Sequence, residues 1–171
     1  MSEGDSALKD VGLWILVGVT AVLIVGALIG PGESDPRPAP DFSLVSLENE
    51  VITLSDYRGR VVLLDFWASW CKPCVRTFPA LHEIQVELAD RGVDLLVVSI
   101  DKTEEAAREY LDENGFATEN ILWGSLAEAR AVKELFGVVG IPHTFVIDRE
   151  GLIRFSGHPV HLSAEAVEEW L

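Results

Sequence analysis

The feature that most constrains this chain is a pair of cysteines placed between a predicted strand and a predicted helix. Cys71 and Cys74 are the only two cysteines, and an apolar run at 61–64 precedes them. That run predicts a buried β-strand, and the three- and four-residue spacing of apolar side chains after Cys74 predicts a helix from Lys72 to about Ala89. A sulfur at a helix start faces free N–H groups and the positive end of the helix dipole, which favour the thiolate. The pair is therefore predicted to be a redox-active dithiol.

Two other interpretations of the cysteine pair are weaker. A permanent disulfide across so short a loop would remove little entropy from the unfolded chain, so it would add little stability. A structural zinc site needs four ligands, and the chain offers no second cysteine pair. We expect Cys71, nearer the helix start, to attack the substrate, and Cys74 to resolve the mixed disulfide. No metal ion or other cofactor is expected at this site.

Two residues between the cysteines are expected to modulate the dithiol. Lys72 adds a positive charge that favours the thiolate, or else it is a solvated surface lysine with little effect. Pro73 is expected to stiffen the turn.

The order of the predicted elements indicates an α/β sandwich whose central sheet is mixed. The continuous apolar character of the strand at Arg60–Phe66 predicts cover on both of its faces. A β-hairpin is predicted before it, at 42–46 and 51–53. The remaining strands are predicted at 94–100, 121–123, 143–147 and 152–155, and helices at 103–114, 125–136 and 163–171.

The first 39 residues are predicted to lie outside the globular domain. Residues 11–29 carry no charge, and as a helix they would be roughly 28 Å long, which matches a bilayer's hydrocarbon core. This predicts a single transmembrane anchor after a cytoplasmic tail at 1–10. A cleavable signal peptide is the alternative, but it has a shorter apolar core, a basic head and a small-residue cleavage site. The proline-rich residues 30–39 are predicted to be an extended linker, and 40–171 the globular domain.

The composition also limits the partners and the location. With 13 basic and 28 acidic residues the net charge is −15, which repels phosphate backbones and argues against nucleic-acid binding. The acidity fits either adaptation to high salt or simple solubility. Because disulfides persist outside the cytosol, a dithiol enzyme with one span is expected at the cell membrane with its catalytic domain extracytoplasmic.

Several motifs together carry a family resemblance. The string D-F-W-A-S-W-C-K-P-C at 65–74 is accompanied by D-F-S-L at 41–44, L-S-D-Y-R-G at 54–59, and G-I-P followed by F-V-I-D at 140–148. Over about residues 40–160 the chain resembles the membrane-anchored thiol–disulfide oxidoreductases of the TlpA/ResA type, relatives of the cytochrome c maturation thioredoxins. The resemblance implies a thioredoxin-like sandwich with an N-terminal β-hairpin extension.

The resemblance also implies roles for residues away from the cysteines. Pro142 is expected to follow a cis peptide bond beside the dithiol, with the backbone of Ile141 contacting the substrate. Apart from the resemblance, Trp70 and Trp67 are expected to pack against the site and shield it more than to bind anything specific, with Trp70 as a candidate for substrate contact. Asp65 is expected to be a buried proton acceptor as in thioredoxin, although many TlpA/ResA-type relatives carry an amide there. His143 stands where the family usually has a small hydroxyl residue, so it is expected either to point into solvent, to tune the thiolate or to bind metal.

By analogy with these relatives, the protein is expected to reduce rather than oxidise its partners. These would be protein clients with thiols or disulfides, for example the apocytochrome c thiols, and a membrane-embedded or soluble thiol donor of electrons. The alternative from another class is a copper-delivery protein that uses Cys71, Cys74 and His143. Copper chaperones of similar fold generally space their cysteines one residue wider, which counts against it.

Overall fold

The computed structural model describes residues 36–171, and its centre is a six-stranded mixed sheet. The strand order is β1-β8-β7-β4-β5-β6; β4, β5 and β6 run parallel, and β7, β8 and β1 join as antiparallel neighbours. A separate two-stranded hairpin is formed by β2 and β3. The strands are β1 (Arg37–Pro38), β2 (Ser43–Val45), β3 (Val51–Thr53), β4 (Val61–Trp67), β5 (Val93–Ser99), β6 (Ile121–Leu122), β7 (His143–Ile147) and β8 (Leu152–Gly157).

Within residues 36–171, four α-helices accompany the sheet, and three of them are capped by side-chain hydroxyls. Thr103, Ser125 and Ser163 each accept a hydrogen bond from a backbone N–H in the first helical turn. The last helix ends earlier than the predicted Leu171, and Trp170 and Leu171 follow in turn and coil conformation. The helices are α1 (Lys72–Leu88), α2 (Glu104–Asn114), α3 (Leu126–Leu135) and α4 (Ala164–Glu168).

The central strand β4 is buried on both faces, which confirms the prediction from its continuous apolar run. Successive side chains of a strand point to opposite faces. Val61, Leu63 and Trp67 pack in the cluster that includes Phe78 and Leu81 of α1. The even-numbered residues pack instead with Val132 of α3 and the aromatic ring of Phe136. We call the first side of the sheet the α1 face and the second the α3 face.

The segment at 36–39 packs with the domain, although the sequence predicted it as part of a linker. Arg37 pairs with Ile153, Pro38 pairs with Leu152, and Ala39 is buried. An edge strand tolerates proline because one side of its backbone needs no partner. The rest of the predicted linker, the tail at 1–10 and the anchor at 11–29 lie outside the described residues. Within 36–171, the structure has no helix with both the length and the apolar character needed to cross a bilayer.

The N-terminal hairpin lies against the opposite edge of the sheet. Ser46 forms an isolated bridge with Leu122, and the Leu47 N–H donates to the carbonyl of Ile121 at 2.8 Å. Its turn places Asn49 at a φ of 63°, a left-handed conformation that asparagine tolerates better than most residues. The hairpin extension implied by the family resemblance is thus present, and it covers the short strand β6.

Candidate active site

The two cysteines lie at the N-terminus of α1 and are joined as a disulfide. The S–S distance is 2.01 Å, and Cys71 is 5% exposed while Cys74 is fully buried. Cys71 is the N-cap residue of the helix, and its sulfur accepts the backbone N–H of Cys74 at 3.3 Å. Because this N–H and the helix dipole point at one sulfur, they stabilise negative charge on Cys71. The division of labour expected from the sequence, with Cys71 as the attacking sulfur, is consistent with this geometry.

The loop before β7 approaches the dithiol through its backbone. The Ile141–Pro142 bond is cis, and the carbonyl oxygen of Ile141 lies 3.8 Å from Cys71 Sγ. The preceding turn is held by Lys133 of α3, whose ammonium group donates to the carbonyls of Val138 and Val139. The loop therefore presents a backbone carbonyl next to the reactive sulfur, where an extended substrate segment can pair with it.

Beside this loop runs an open groove of about 540 Å³. Two exposed apolar side chains stand on it, Trp70 at 61% and Val139 at 98% exposure. Large apolar side chains this exposed beside a reactive group are typical of a surface that binds a partner. The lining residues are Trp70, Ile100, Arg130, Lys133, Glu134, Val139, Gly140 and Ile141.

Asp65 is a buried carboxylic acid on β4, at 1% exposure. It alternates with Leu63 and Trp67, so its side chain points to the α1 face, the face on which Cys74 packs. The hydroxyl of Thr144, its partner on β7, donates to Oδ1 at 2.7 Å. Burial raises the pKa of Asp65 to about 7, and the Thr144 hydrogen bond opposes this rise. A carboxyl with a pKa near neutrality can both accept and return a proton.

A second buried carboxylate, Asp101, was not identified from the sequence. It follows β5, is fully buried, and accepts hydrogen bonds from the backbone N–H and the hydroxyl of Ser69 at 3.0 and 2.7 Å. The Ser99 hydroxyl donates to it at 2.8 Å, and the Trp123 indole N–H donates to its backbone carbonyl at 3.0 Å. Asp101 thus anchors the turn that leads into Cys71.

The remaining residues of the motif divide into surface and core. Lys72 is exposed, and Pro73 occupies the first turn of α1, a position where its missing N–H costs no helical hydrogen bond. Trp70 is exposed, whereas Trp67 is buried with its ring centroid 5.6 Å from that of Phe78. Trp70 is therefore available to a partner, and Trp67 packs the core beneath the site.

His143 is not brought together with the cysteines. It pairs with Phe66 across the sheet and so belongs to the α3 face, with its Nε2 3.0 Å from the Ser156 hydroxyl. Burial, and then the charges of His158 and Lys133, lower the pKa of His143. Among residues 36–171, no three His, Cys, Asp or Glu side chains form a group that could hold a metal ion.

Three polar residues at the site were not predicted from the sequence. They are Asp101, Thr144 and Lys133. A signal did exist for Asp101, because it follows an apolar strand predicted to lie in the same sheet as the one leading to Cys71. The carboxyl ends of parallel strands gather functional residues at one edge. Thr144 and Lys133 gave no such signal, since their roles depend on the strand register and on where α3 packs.

Comparison with known proteins agrees with this geometry. The AhpC/TSA family profile matches residues 36–156. The thioredoxin-like protein YneN of Bacillus subtilis is 34% identical over 125 residues, which cover 72% of this chain and 71% of that protein. The thiol-disulfide oxidoreductase ResA of Geobacillus thermodenitrificans is 33% identical over 116 residues, covering 68% of this chain and 64% of ResA, slightly under two thirds of its length.

Solved structures give the same result. A crystal structure from Chlorobium tepidum, provisionally named thiol:disulfide interchange protein DsbE, superposes with a TM-score of 0.69 at 31% identity, covering 81% of this chain and 96% of that one. The thioredoxin domain of a thiol-disulfide oxidoreductase from Bacteroides vulgatus has a TM-score of 0.69 at 27% identity, covering 78% and 94%. The chain described here belongs to the AhpC/TSA family, among the thioredoxin-fold thiol–disulfide oxidoreductases that resemble ResA.

Proposed function

We propose that this protein is a membrane-tethered, extracytoplasmic reductant of protein disulfides. The observation that carries the proposal is the Cys71–Cys74 pair at the N-terminus of α1, with the Ile141 carbonyl 3.8 Å from Cys71 Sγ. This arrangement joins an activated sulfur to a backbone site for an extended client. The apocytochrome c thiols are the proposed clients, in keeping with the resemblance to relatives that prepare them for haem attachment.

The reaction proceeds in two exchanges and begins with both cysteines reduced. The Cys71 thiolate attacks one sulfur of the client disulfide, forms a mixed disulfide and releases the other client sulfur as a thiolate. Cys74 then loses its proton and attacks Cys71 Sγ, which breaks the mixed disulfide and releases the second client thiol. The client gains two electrons, and the protein ends in the disulfide form seen in the structure. A thiol donor must return the pair to the dithiol.

Asp65 is proposed to take the proton from Cys74 in the second exchange. Its position on the α1 face and its pKa of about 7 suit this task, since it is ready to accept a proton near neutrality. In the reverse direction the same carboxylic acid returns the proton to Cys74.

The surroundings of Cys71 favour a reductant over an oxidant. A strong oxidant of this fold needs a stabilised thiolate, as when a cation lies beside the sulfur. Here His143 belongs to the opposite face of the sheet, its pKa is lowered, and the nearest lysine in sequence, Lys72, is exposed to solvent.

The direction is tested by the redox equilibrium of the pair against glutathione and against a lower-potential dithiol. A reductant should equilibrate near the thioredoxin end of the known range, roughly −270 mV, and an oxidant near −120 mV. A value close to the oxidising end would contradict the proposal.

The division of roles is tested with the two serine variants. Cys74→Ser should accumulate a mixed disulfide with clients, and Cys71→Ser should accumulate none. Equal trapping by both would show that the roles are not divided. Metal content after anaerobic purification tests the copper-delivery alternative, because stoichiometric copper on the parent, lost in both variants, would favour it.

The proposed location is tested on the intact chain. Residues 11–29 should keep the protein in the membrane fraction, and the domain should be accessible to a thiol reagent that does not cross membranes. A soluble or cytoplasmically exposed protein would contradict the tether or its orientation.

A further inference from the structure

The groove beside the dithiol carries its own pattern of charge. Of its lining residues, Arg130 and Lys133 are cations and Glu134 is the single anion. The chain as a whole has 28 acidic and 13 basic residues, a net charge of −15. The groove therefore has a small net positive charge, whereas the protein as a whole has a large net negative charge.

Of the two cations in the groove, Arg130 is the one available to a ligand. The Lys133 ammonium group already donates to two backbone carbonyls, those of Val138 and Val139. Arg130 is exposed and takes part in none of the ion pairs found among residues 36–171. Glu134 lies one turn further along α3, where it can compete for the guanidinium group but offers no donor to a carboxylate.

The rest of the groove suits an extended peptide. Trp70 and Val139 offer apolar surface, and the Ile141 carbonyl next to Cys71 offers a backbone acceptor. A client cysteine that reaches Cys71 in extended conformation therefore places its neighbouring side chains over Trp70, Val139 and the α3 residues that line the groove. A guanidinium group recognises a carboxylate through two parallel N–H donors, so it is well matched to an aspartate or glutamate.

We propose that this groove selects client segments that carry an aspartate or glutamate close to the disulfide, with Arg130 as the residue that recognises the carboxylate. The inference rests on the proposed function, because it names the class of client for the same dithiol. Clients that are acidic over a wide surface are disfavoured by the net charge, whereas a single carboxylate beside the cysteine is attracted locally. The attraction acts over about 8 Å at physiological salt, so it discriminates between neighbours of the cysteine and not between distant charges.

The test uses the reduced full-length protein in a nonionic detergent and three synthetic peptides. Each peptide has the same internal disulfide, flanked by glutamate, glutamine or lysine. We expect the glutamate peptide to be reduced roughly two- to fivefold faster than the glutamine peptide, the range for an exposed ion pair, and the lysine peptide to be slowest. Salt near 0.5 M should bring the three rates together, because it shortens the screening length.

Substitutions in α3 and α1 then show whether Arg130 causes the preference for the glutamate peptide. Arg130→Gln should make the glutamate and glutamine peptides equal, Arg130→Glu should reverse the order, and Glu134→Gln should increase the preference for glutamate. Arg76 is the matched control: it is an exposed arginine on α1, two residues after Cys74, and it does not line the groove. Arg76→Glu should therefore preserve the order of the three peptides.

The outcomes separate the two proposals. Equal rates for the three peptides at low salt, or the same change from Arg76→Glu as from Arg130→Glu, would overturn the inference while leaving the reductant intact. Failure to reduce any peptide would overturn the proposed function itself.

Discussion

The two buried aspartates near the dithiol are held in different ways. Asp65 is surrounded by core side chains on the α1 face and receives one hydrogen bond, from the Thr144 hydroxyl. Asp101, at the end of the neighbouring strand β5, receives hydrogen bonds from two hydroxyls and one backbone N–H. Both are almost completely buried, so the difference lies in the donors and not in the exposure.

The difference gives the two carboxyl groups different tasks. A buried carboxyl group with few donors favours the neutral acid, so the pKa of Asp65 is raised, whereas the donors around Asp101 tie its side chain to Ser69 and Ser99. Asp65 is therefore suited to moving a proton, and Asp101 to fixing Ser69 and the approach to Cys71. The same residue type is thus suited to two different tasks in one candidate site, because the local hydrogen bonds differ.

Replacing Asp101 should have the largest effect on stability. Asp101→Ala leaves three buried or half-buried donors without an acceptor, and at roughly 1–3 kcal/mol each we expect a loss of about 5 kcal/mol in the free energy of unfolding. Urea denaturation measures it, with Asp101→Asn as the control that keeps one acceptor oxygen. A loss below about 1 kcal/mol would show that Asp101 does not anchor the turn.

The stability of the protein should depend on the protonation of Asp65. The unfolded chain releases this proton near the usual value of 3.8, whereas the folded protein holds it to about 7. Between these pH values the folded state binds more protons than the unfolded chain. The stability that protonated Asp65 contributes is therefore complete below pH 3.8 and is lost as the pH rises to about 7. The loss amounts to about 4 kcal/mol for a shift of this size.

Asp65→Asn removes this dependence while keeping the shape and an acceptor for Thr144. The variant should therefore match the parent near pH 4 and exceed it by about 4 kcal/mol near pH 8, as measured by denaturation at both values. Parallel stability curves for parent and variant would mean that Asp65 is charged in the fold.

The same variant should be slow in one chemical step. Without a proton acceptor, attack of Cys74 on the mixed disulfide should slow on the order of 10²-fold, while the initial attack by Cys71 is unaffected. Stopped-flow reduction of a disulfide substrate between about pH 6 and 9 resolves both steps. If resolution proceeds at the parental rate throughout, the Cys74 proton goes to water and Asp65 is structural.

The smallest effect is expected at Thr144. Its hydrogen bond lowers the pKa of Asp65, so Thr144→Val should raise that pKa above about 7. The pKa should rise by about one pH unit, which corresponds to the free energy of one hydrogen bond. The midpoint in the pH dependence of the resolution rate should therefore move to higher pH. Thr144→Ser keeps the hydroxyl and should leave the midpoint in place.

Local patterns allowed most of the fold and the dithiol to be predicted. Cys71 and Cys74 are informative because the strand before them and the helix after them are both visible in a short window of sequence. The pairing of Arg37 and Pro38 with β8 was not predictable in the same way, since it joins residues more than a hundred positions apart through two-residue contacts. Pro38 also favoured the prediction that residues 30–39 form a linker.

The parts of the site whose geometry depends on tertiary packing were harder to predict from the sequence. The alternation of His143, Phe145 and Ile147 places them on one face of a strand, but only the packing of α3 shows that this face is turned away from Asp65. The sequence alone therefore left His143 as a possible ligand together with the cysteines. The register that pairs Asp65 with Thr144 is likewise a property of the assembled sheet.

The pairing of β1 with β8 also affects how readily the edge of the sheet could pair with another polypeptide chain. An exposed sheet edge is a template for aggregation, and an enzyme that meets unfolded clients would be at particular risk. Here one edge is closed by a two-residue strand that contains Pro38, and the other by the hairpin that bridges to Leu122. If clients pair with the Ile141 carbonyl as proposed, a bound chain would lie beside the dithiol, 3.8 Å from Cys71 Sγ, and not along either edge of the sheet.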